Sequence, residues 1–175
     1  MFGSSPTPRE FEPIPILKFV PGDRHRYIVL SDTVEGLYVH YTDRTYLCPH
    51  LDCPLCDFGR VPRYYAYLTV GREKRKYLLR LTDTPANELI AVHPRPGDVL
   101  DVECKAVRRP LIVKRYGQVA LGPEHVVTRL DQLRTLWALF CLGSLPATRD
   151  VDELILLAAG SARAELANTT LIGQD

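Results

Sequence analysis

Three of the five cysteines lie within nine residues, at Cys48, Cys53 and Cys56, and two histidines lie close to them, His40 and His50. Cys53 and Cys56 form a C-x-x-C pair, a spacing with which two thiolates hold one ion from a tight turn. Zinc prefers four nitrogen or sulfur ligands in a tetrahedron, so Cys48 would supply a third thiolate and a histidine the fourth ligand. The cluster therefore predicts an insert that is fastened by a metal ion.

Either histidine could complete this site. His50 lies two residues from Cys48, a short reach for both side chains to bind one ion, whereas His40 ends a predicted strand and can close the site across the base of the insert. We therefore favour His40 and keep His50 as the alternative. Three thiolates and one imidazole leave no open coordination position, so the predicted ion is a structural Zn²⁺. A zinc deaminase is disfavoured because no Glu stands two residues after His40 and Asp52, not Pro, precedes the C-x-x-C pair.

Strand patterns dominate the first two thirds of the chain. Six segments are rich in β-branched and aromatic residues, as strands are: 26–32, 36–42, 63–70, 74–82, 99–107 and 111–117. A turn at 33–36 joins the first two, and a short helix is predicted at 85–90. Because residues 43–62 lose this periodicity and gain Cys, Pro, Asp and Gly, we interpret them as the compact zinc insert. The strand spacing favours a small antiparallel barrel or sandwich.

The C-terminal third changes to helical periodicity. Residues 131–140 place four apolar side chains at helical spacing: Leu133, Leu136, Trp137 and Phe140. A second helix is predicted over 151–168, with Asp150 as its N-cap. We therefore predict a mainly β protein with three regions: an extended, proline-rich arm over 1–21, a barrel over 22–128 that contains the insert 43–62, and a helical region over 129–175.

Charge is distributed unevenly. The chain has 22 Lys and Arg against 21 Asp and Glu, a net charge of +1, yet residues 60–80 hold seven basic side chains and one acid, Glu73. Alternation along 63–70 places Arg63, Tyr65 and Tyr67 on one face, and leaves a core face of Tyr64, Ala66, Leu68 and Val70. Aromatic rings that stack on bases and cations that meet phosphates are typical of a platform for single strands.

This pattern predicts a set of nucleic-acid-binding residues on strands and turns. They are Arg60, Arg63, Tyr65, Tyr67, Lys74, Lys76, Arg80, Lys105, Arg108, Arg109, Lys114 and Arg115. A purely structural interpretation remains open, because tyrosines are common in strands and basic residues often serve solubility or protect a sheet edge.

Several classes of protein are disfavoured. No apolar run approaches the roughly 18 residues of a spanning helix, and the first residues lack the pattern of a secretory signal, so we expect a cytoplasmic protein without a membrane partner. An odd number of cysteines in that setting argues against a disulfide framework. We expect no catalytic residues, since a glycine-rich phosphate loop, a nucleophile elbow and a carboxylate cluster are all missing.

The segment YVHYTDRTYLCPHLDCPLCDFGRVPRYYAYLTV (38–70) resembles the zinc-containing single-stranded-DNA-binding proteins of T4-like phages and small proteins of bacterial mobile elements. The likeness lies in the ligand order His40, Cys48, Cys53, Cys56 and in the aromatic strand that follows. It covers roughly residues 26–117. The resemblance implies an OB-fold barrel with a cleft of tyrosines and basic residues.

Two functions are therefore expected. The first is binding of single-stranded DNA with little sequence preference, with RNA as the alternative strand. The second is an adaptor role, in which a zinc-fastened barrel recruits another protein, such as a replication or recombination protein, through the C-terminal helices. The apolar residues around Trp137 and over 154–157 motivate the adaptor hypothesis.

Overall fold

The computed structural model describes residues 14–172, apart from the side chains of residue 83 and of residues 169–172. Residues 1–13 of the predicted arm lie outside this range. The strands are β1 (Arg24–Val29), β2 (Glu35–Tyr41), β3 (Thr45–Leu47), β4 (Arg63–Arg72), β5 (Arg75–Thr82), β6 (Asp98–Glu103) and β7 (Ile112–Gln118). The α-helices are α1 (Pro54–Asp57), α2 (Asp83–Val92), α3 (Arg129–Leu139) and α4 (Val151–Ile172), and a 3₁₀ turn spans Pro123–His125.

All seven strands belong to one antiparallel sheet. Their order is β3-β2-β4-β1-β6-β7, and β5 pairs with the opposite edge of β4 over Tyr65 to Arg72. Within residues 14–172 no strand pairing joins β5 to β7, so the sheet is not shown closed into a barrel. The mainly β architecture and the six predicted strands are confirmed, and the seventh strand, β3, lies inside the predicted insert.

The predicted turn between the first two strands is wrong. β1 and β2 do not pair with each other but follow one another along β4, with Val29 opposite Val70 and Glu35 opposite Tyr67. The backbone amides of Leu30 and Ser31 both donate to the Thr69 carbonyl, at 2.9 and 3.3 Å, and this keeps the chain on β4. The two segments therefore form one long, interrupted strand.

The inner face of β4 carries the main core. Ala66, Leu68 and Val70 are fully buried, as predicted, and Tyr64 is half-buried. They pack with residues of β1, β5 and β6 and with the apolar face of α2. Alternation along the strand explains this face, because every second side chain points to the same side of a sheet.

The outer face of β4 is also buried, which contradicts the predicted solvent face. Tyr67 is 0% exposed and packs edge-on against Phe140 of α3, with the ring centroids 6.0 Å apart at 89°. Leu136 and Trp137 of α3 and Leu154 of α4 belong to the same apolar cluster. The C-terminal helices thus cover the middle of the β4–β5 surface.

Gln132 attaches α3 to the interrupted strand. Its side chain is fully buried, and its Oε1 accepts hydrogen bonds from the Thr69 amide at 3.0 Å and the Thr69 hydroxyl at 2.9 Å. Its Nε2 donates to the Thr33 carbonyl at 3.0 Å. Buried polar groups need such partners. An ion pair between Arg129 and Glu35, 2.6 Å apart, adds a second link between α3 and β2.

The ends of the elements follow local capping rules. The Asp150 carboxylate accepts from the amides of Asp152 and Glu153, at 2.9 and 3.2 Å, so the predicted N-cap of α4 is confirmed. The described part of the predicted arm lies against the open edge of β5, where the Leu78 amide donates to the Pro15 carbonyl at 2.8 Å. The arm therefore covers a sheet edge that would otherwise be free.

Candidate metal centre and nucleic-acid interface

The four predicted metal ligands come from three short elements. His40 lies on β2 and Cys48 follows β3 directly. Cys53 is the N-cap of α1, and Cys56 lies one helical turn later, within α1. Pro54 occupies the first turn of α1, where its missing N–H leaves no donor unpaired. The sequence predicted neither β3 nor α1, but both are needed to aim the cysteines at β2.

The ligand atoms form a compact group. Sγ of Cys53 and Sγ of Cys56 lie 3.4 and 3.5 Å from Nε2 of His40, and the sulfurs of Cys48 and Cys56 are 3.7 Å apart. All four ligand atoms lie within 4.8 Å of one another. Zn–S bonds of about 2.3 Å and Zn–N bonds of about 2.0 Å in a tetrahedron require edges of about 3.8 Å between sulfurs and about 3.5 Å between sulfur and nitrogen. The three short distances match those edges, so this buried group could hold a metal ion such as zinc.

Burial shapes the protonation of the group. It raises the pKa of the Cys48 thiol to about 12 and also raises the pKa of Cys56. Burial, followed by the charge of Arg60, lowers the pKa of His40, which keeps the imidazole in its neutral, ligating form. Because metal ligation requires thiolates, an ion must displace the thiol protons. Three thiolates around a divalent cation carry a net charge of −1, which the nearby Arg60 cation complements.

His50 does not join the group. Its backbone has a φ of 63°, its side chain is exposed, and its ring packs edge-on against Tyr38 with the centroids 4.7 Å apart. Among the described residues His40 is therefore the histidine that completes the cluster.

The insert is attached to α4. Leu166 packs on a small cluster that contains Tyr46, Cys48 and Cys53. Arg44 forms an ion pair with Glu165. The other two cysteines stand apart from this group of ligands: Cys104 is buried and Cys141 is exposed.

The predicted nucleic-acid-binding cations are all exposed, and three of them come together. Arg63 at the start of β4 and Arg108 and Arg109 in the β6–β7 loop line one surface depression, with Thr82 and Pro110. We call this feature the arginine depression. No carboxylate lines it, and within the described part of the chain none of the three guanidinium groups has an ion-pair partner. Basic residues of the segment 60–80 and of the β6–β7 loop therefore meet at this point.

An aromatic residue adjoins the arginine depression. Tyr65 is half-buried, lies two residues from Arg63 on the same face of β4, and stands opposite Thr82 in the strand register. The guanidinium of Arg80 lies 5.1 Å from the centroid of the Tyr65 ring, within the range of a cation–π contact.

Other predicted binding residues lie elsewhere. Tyr67 is wrong as a stacking residue, because its ring is enclosed between the sheet and α3 and has no free face. Arg115 forms an ion pair with the buried Asp98 at 3.0 Å, which gives it a structural role. Lys74 and Lys76 lie at the β4–β5 turn, about 30 Å along the strand from Arg63. The remaining three are Arg60 beside the metal group, Lys105 in the β6–β7 loop and Lys114 on β7.

The sequence analysis missed one exposed cation–aromatic pair. The guanidinium of Arg26 on β1 lies 3.5 Å from the ring centroid of Tyr116 on β7. A register shift between β6 and β7 leaves Tyr116 without a direct partner strand residue, and such bulges redirect side chains. The alternation of Arg24 and Arg26 along β1 is a signal that could have pointed to this face.

Comparison with protein-family models, with curated proteins and with solved structures finds no match for this chain. The likeness to phage strand-binding proteins thus stays a resemblance in motif and ligand order. None of the helices within residues 14–172 combines the length and the apolar character needed to cross a membrane.

Proposed function

We propose that the protein binds single strands of nucleic acid, DNA in particular, with little sequence preference, and that a structural zinc ion fastens its insert. The observation that carries this proposal is the convergence of Arg63, Arg108 and Arg109 on one depression beside Tyr65. Guanidinium groups contact phosphates through charge-assisted hydrogen bonds, and an aromatic ring offers a face to any base.

The order of the strands supports an OB-like interpretation. The series β5-β4-β1-β6-β7, with α2 between β5 and β6, follows the strand order of a five-stranded OB barrel. OB folds bind oligonucleotides on the face of their second and third strands and on the loops that flank it. In this protein that face corresponds to β4 and β5. The insert lies in the connection between β2 and β4, which is one of the two flanking loops, and the β6–β7 loop is the other.

The C-terminal helices limit the binding surface. Because α3 covers Tyr67, contact with a strand is restricted to the start of β4 and the end of β5, where Tyr65 and Arg80 remain accessible. The interface is therefore small, and we expect a modest affinity that rests on few phosphate contacts and falls as the salt concentration rises.

Fluorescence anisotropy with a labelled oligothymidylate tests the proposal. The variant R63A/R108A/R109A should bind roughly a hundredfold more weakly, if each lost contact contributes about 1 kcal/mol. The proposed interface leaves out Lys74 and Lys76, because they lie about 30 Å along the strand from Arg63. The matched control K74A/R75A/K76A therefore removes three positive charges outside this interface, at the β4–β5 turn, and should bind nearly as well as the wild type. Equal losses in both variants, or no binding by the wild type, would overturn the assignment. An RNA of matched length measures the preference between the two strands.

The adaptor role is a second candidate, and one observation favours it. Leu156 on α4 is 72% exposed and its neighbours Ile155 and Leu157 are about 40% exposed, whereas Trp137 is buried in the core. We would compare wild type and Leu156→Asp for capture of replication or recombination proteins and for mass by light scattering. The adaptor candidate predicts that the substitution abolishes capture and leaves oligonucleotide affinity unchanged.

A further inference from the structure

The arginine depression concentrates positive charge without a counter-charge. Its lining residues are three arginines, one threonine and one proline. Arginine stays ionised at any physiological pH, so the three groups repel one another whenever no anion lies between them. Exposed cations normally spread apart or pair with carboxylates, as Arg24 does with Asp101 at 2.7 Å and Arg115 does with Asp98. Within the described part of the chain, Arg63, Arg108 and Arg109 line one depression and have no such carboxylate partner.

The backbone at Arg108 gives a second, independent observation. Arg108 has a φ of 61°, in the left-handed region where glycine is favoured and a side chain is strained. The Arg109 amide donates to the Ala106 carbonyl at 3.4 Å in the same turn. Such strain persists only where the surrounding structure fixes it; it recurs at binding sites, and also in tight turns such as the β4–β5 turn, where Glu73 and Lys74 have positive φ as well. The turn therefore keeps a guanidinium at a position where glycine would fold more easily.

The number of positive charges distinguishes two kinds of phosphate. A phosphodiester inside a strand has one negative charge and two free oxygens, whereas a phosphate monoester has a charge of about −1.5 to −2 and three free oxygens. Three guanidinium groups and the Thr82 hydroxyl offer more donors and more charge than a single diester can use. A monoester satisfies them better, since charge-assisted and bidentate arginine contacts are the strong ones.

We infer that the arginine depression recognises the terminal phosphate monoester of a nucleic-acid strand. This inference rests on the proposed function and makes it more specific, because it assigns the depression to a strand end. The Tyr65–Arg80 pair, which adjoins the depression, then receives the terminal base. The ligand is a terminal phosphate, which either the 5′ or the 3′ end of a strand can supply.

Competition binding tests the inference. Three unlabelled six-nucleotide DNAs of identical sequence, one with a 5′-phosphate, one with a 3′-phosphate and one with neither, compete against a labelled strand. We expect one phosphorylated end to compete roughly tenfold better than the unphosphorylated strand, and R63A/R108A/R109A to lose that preference. The K74A/R75A/K76A control should keep it.

Arg108→Gly separates recognition from folding. Glycine relieves the strained φ, so the thermal unfolding midpoint should stay the same or rise while the preference for the phosphorylated end falls. If all three oligonucleotides compete equally in the wild type but weaken in R63A/R108A/R109A, the depression binds internal phosphates: the inference fails and the proposed function stands. If no oligonucleotide binds, the proposed function fails with it.

Discussion

The insert that carries the Cys/His group and the sheet beside it bury their side chains in different ways. The inner core of the sheet joins eleven buried residues from four strands and α2, whereas the cluster at the insert has five buried residues, two of which are cysteines. An apolar cluster that small contributes little free energy of folding. We therefore expect the sheet to be stable through hydrophobic packing alone, and we expect the order of the insert to depend on the ion that its Cys/His group could hold.

Removal of the metal should have the largest effect. In zinc-finger peptides the ion contributes about 10 kcal/mol or more to folding. We expect native mass spectrometry to find one zinc per chain and C53S/C56S to bind none. Hydrogen exchange should then rise over residues 43–62 and leave β4–β6 protected. The exposed Cys141→Ser is the matched control and should keep the ion. A wild-type protein without metal, or a variant with unchanged exchange, would contradict this difference between the two regions.

Truncation of Tyr67 tests the outer face of the sheet. Tyr67→Ala should lower the free energy of unfolding by about 3–5 kcal/mol, because it leaves a cavity between β4 and α3. The Tyr67 hydroxyl has no hydrogen-bond partner among the described residues, so Tyr67→Phe should be neutral or slightly stabilising. Chemical denaturation measures both. A stable Tyr67→Ala protein with weaker oligonucleotide binding would restore Tyr67 as a stacking residue.

Gln132 provides a smaller, polar test of the same contact. Gln132→Leu removes the side-chain partner of the Thr69 hydroxyl and of the Thr33 carbonyl, whereas the Thr69 amide keeps its hydrogen bond to the Ser31 hydroxyl at 3.1 Å. We expect it to destabilise the fold by about 1–3 kcal/mol. Ala138→Gln is the matched control, since it places the same amide on the exposed side of α3. We expect the control to change stability by less than about 0.5 kcal/mol. Equal effects would mean that the buried hydrogen bonds do not attach α3 to the sheet.

The smallest effect concerns the pH dependence at Asp98. Burial alone would raise the pKa of Asp98, but hydrogen bonds from the Arg95 amide and the Gln118 amide and the charge of Arg115 bring it below its ordinary value. A carboxyl group whose pKa is lower in the folded state stabilises the fold fully at pH values above its unfolded-state pKa of about 3.9. This stabilisation is lost as the pH falls through the folded-state pKa. Since Arg115 is half-exposed, the contribution should stay near or below about 1 kcal/mol. Denaturation of wild type and Asp98→Asn at pH 7 and pH 2.5 should show a stability difference that is smaller at the lower pH.

The metal group could be predicted from the sequence because its spacing is local. Cys48, Cys53 and Cys56 are close in the chain, so the short elements between them had to bring the sulfurs together. The choice of His40 required only the position of one strand end. The inner face of β4 was equally accessible to prediction, since strand alternation is a property of the backbone.

The outer face of β4 and the arginine depression could not be predicted in the same way. Alternation shows which side chains share a face but not whether a helix 60 residues later will cover it, as α3 covers Tyr67. The meeting of Arg63 with Arg108 and Arg109 depends on the β6–β7 loop folding over the end of β5. The continuation of β1 into β2 was hidden because residues 33–36 have the composition of a turn.

The salt dependence of oligonucleotide affinity shows whether the arginine depression holds phosphate. Each phosphate that a cation neutralises on a single strand contributes about 0.7 to the slope of log K against log salt. We expect R63A/R108A/R109A to bind single-stranded DNA with a slope lower than that of the wild type by at least about 0.7, the contribution of one phosphate, and K74A/R75A/K76A to keep the wild-type slope within about 0.5. Identical slopes for the wild type and R63A/R108A/R109A would contradict a role for the arginine depression in holding phosphate.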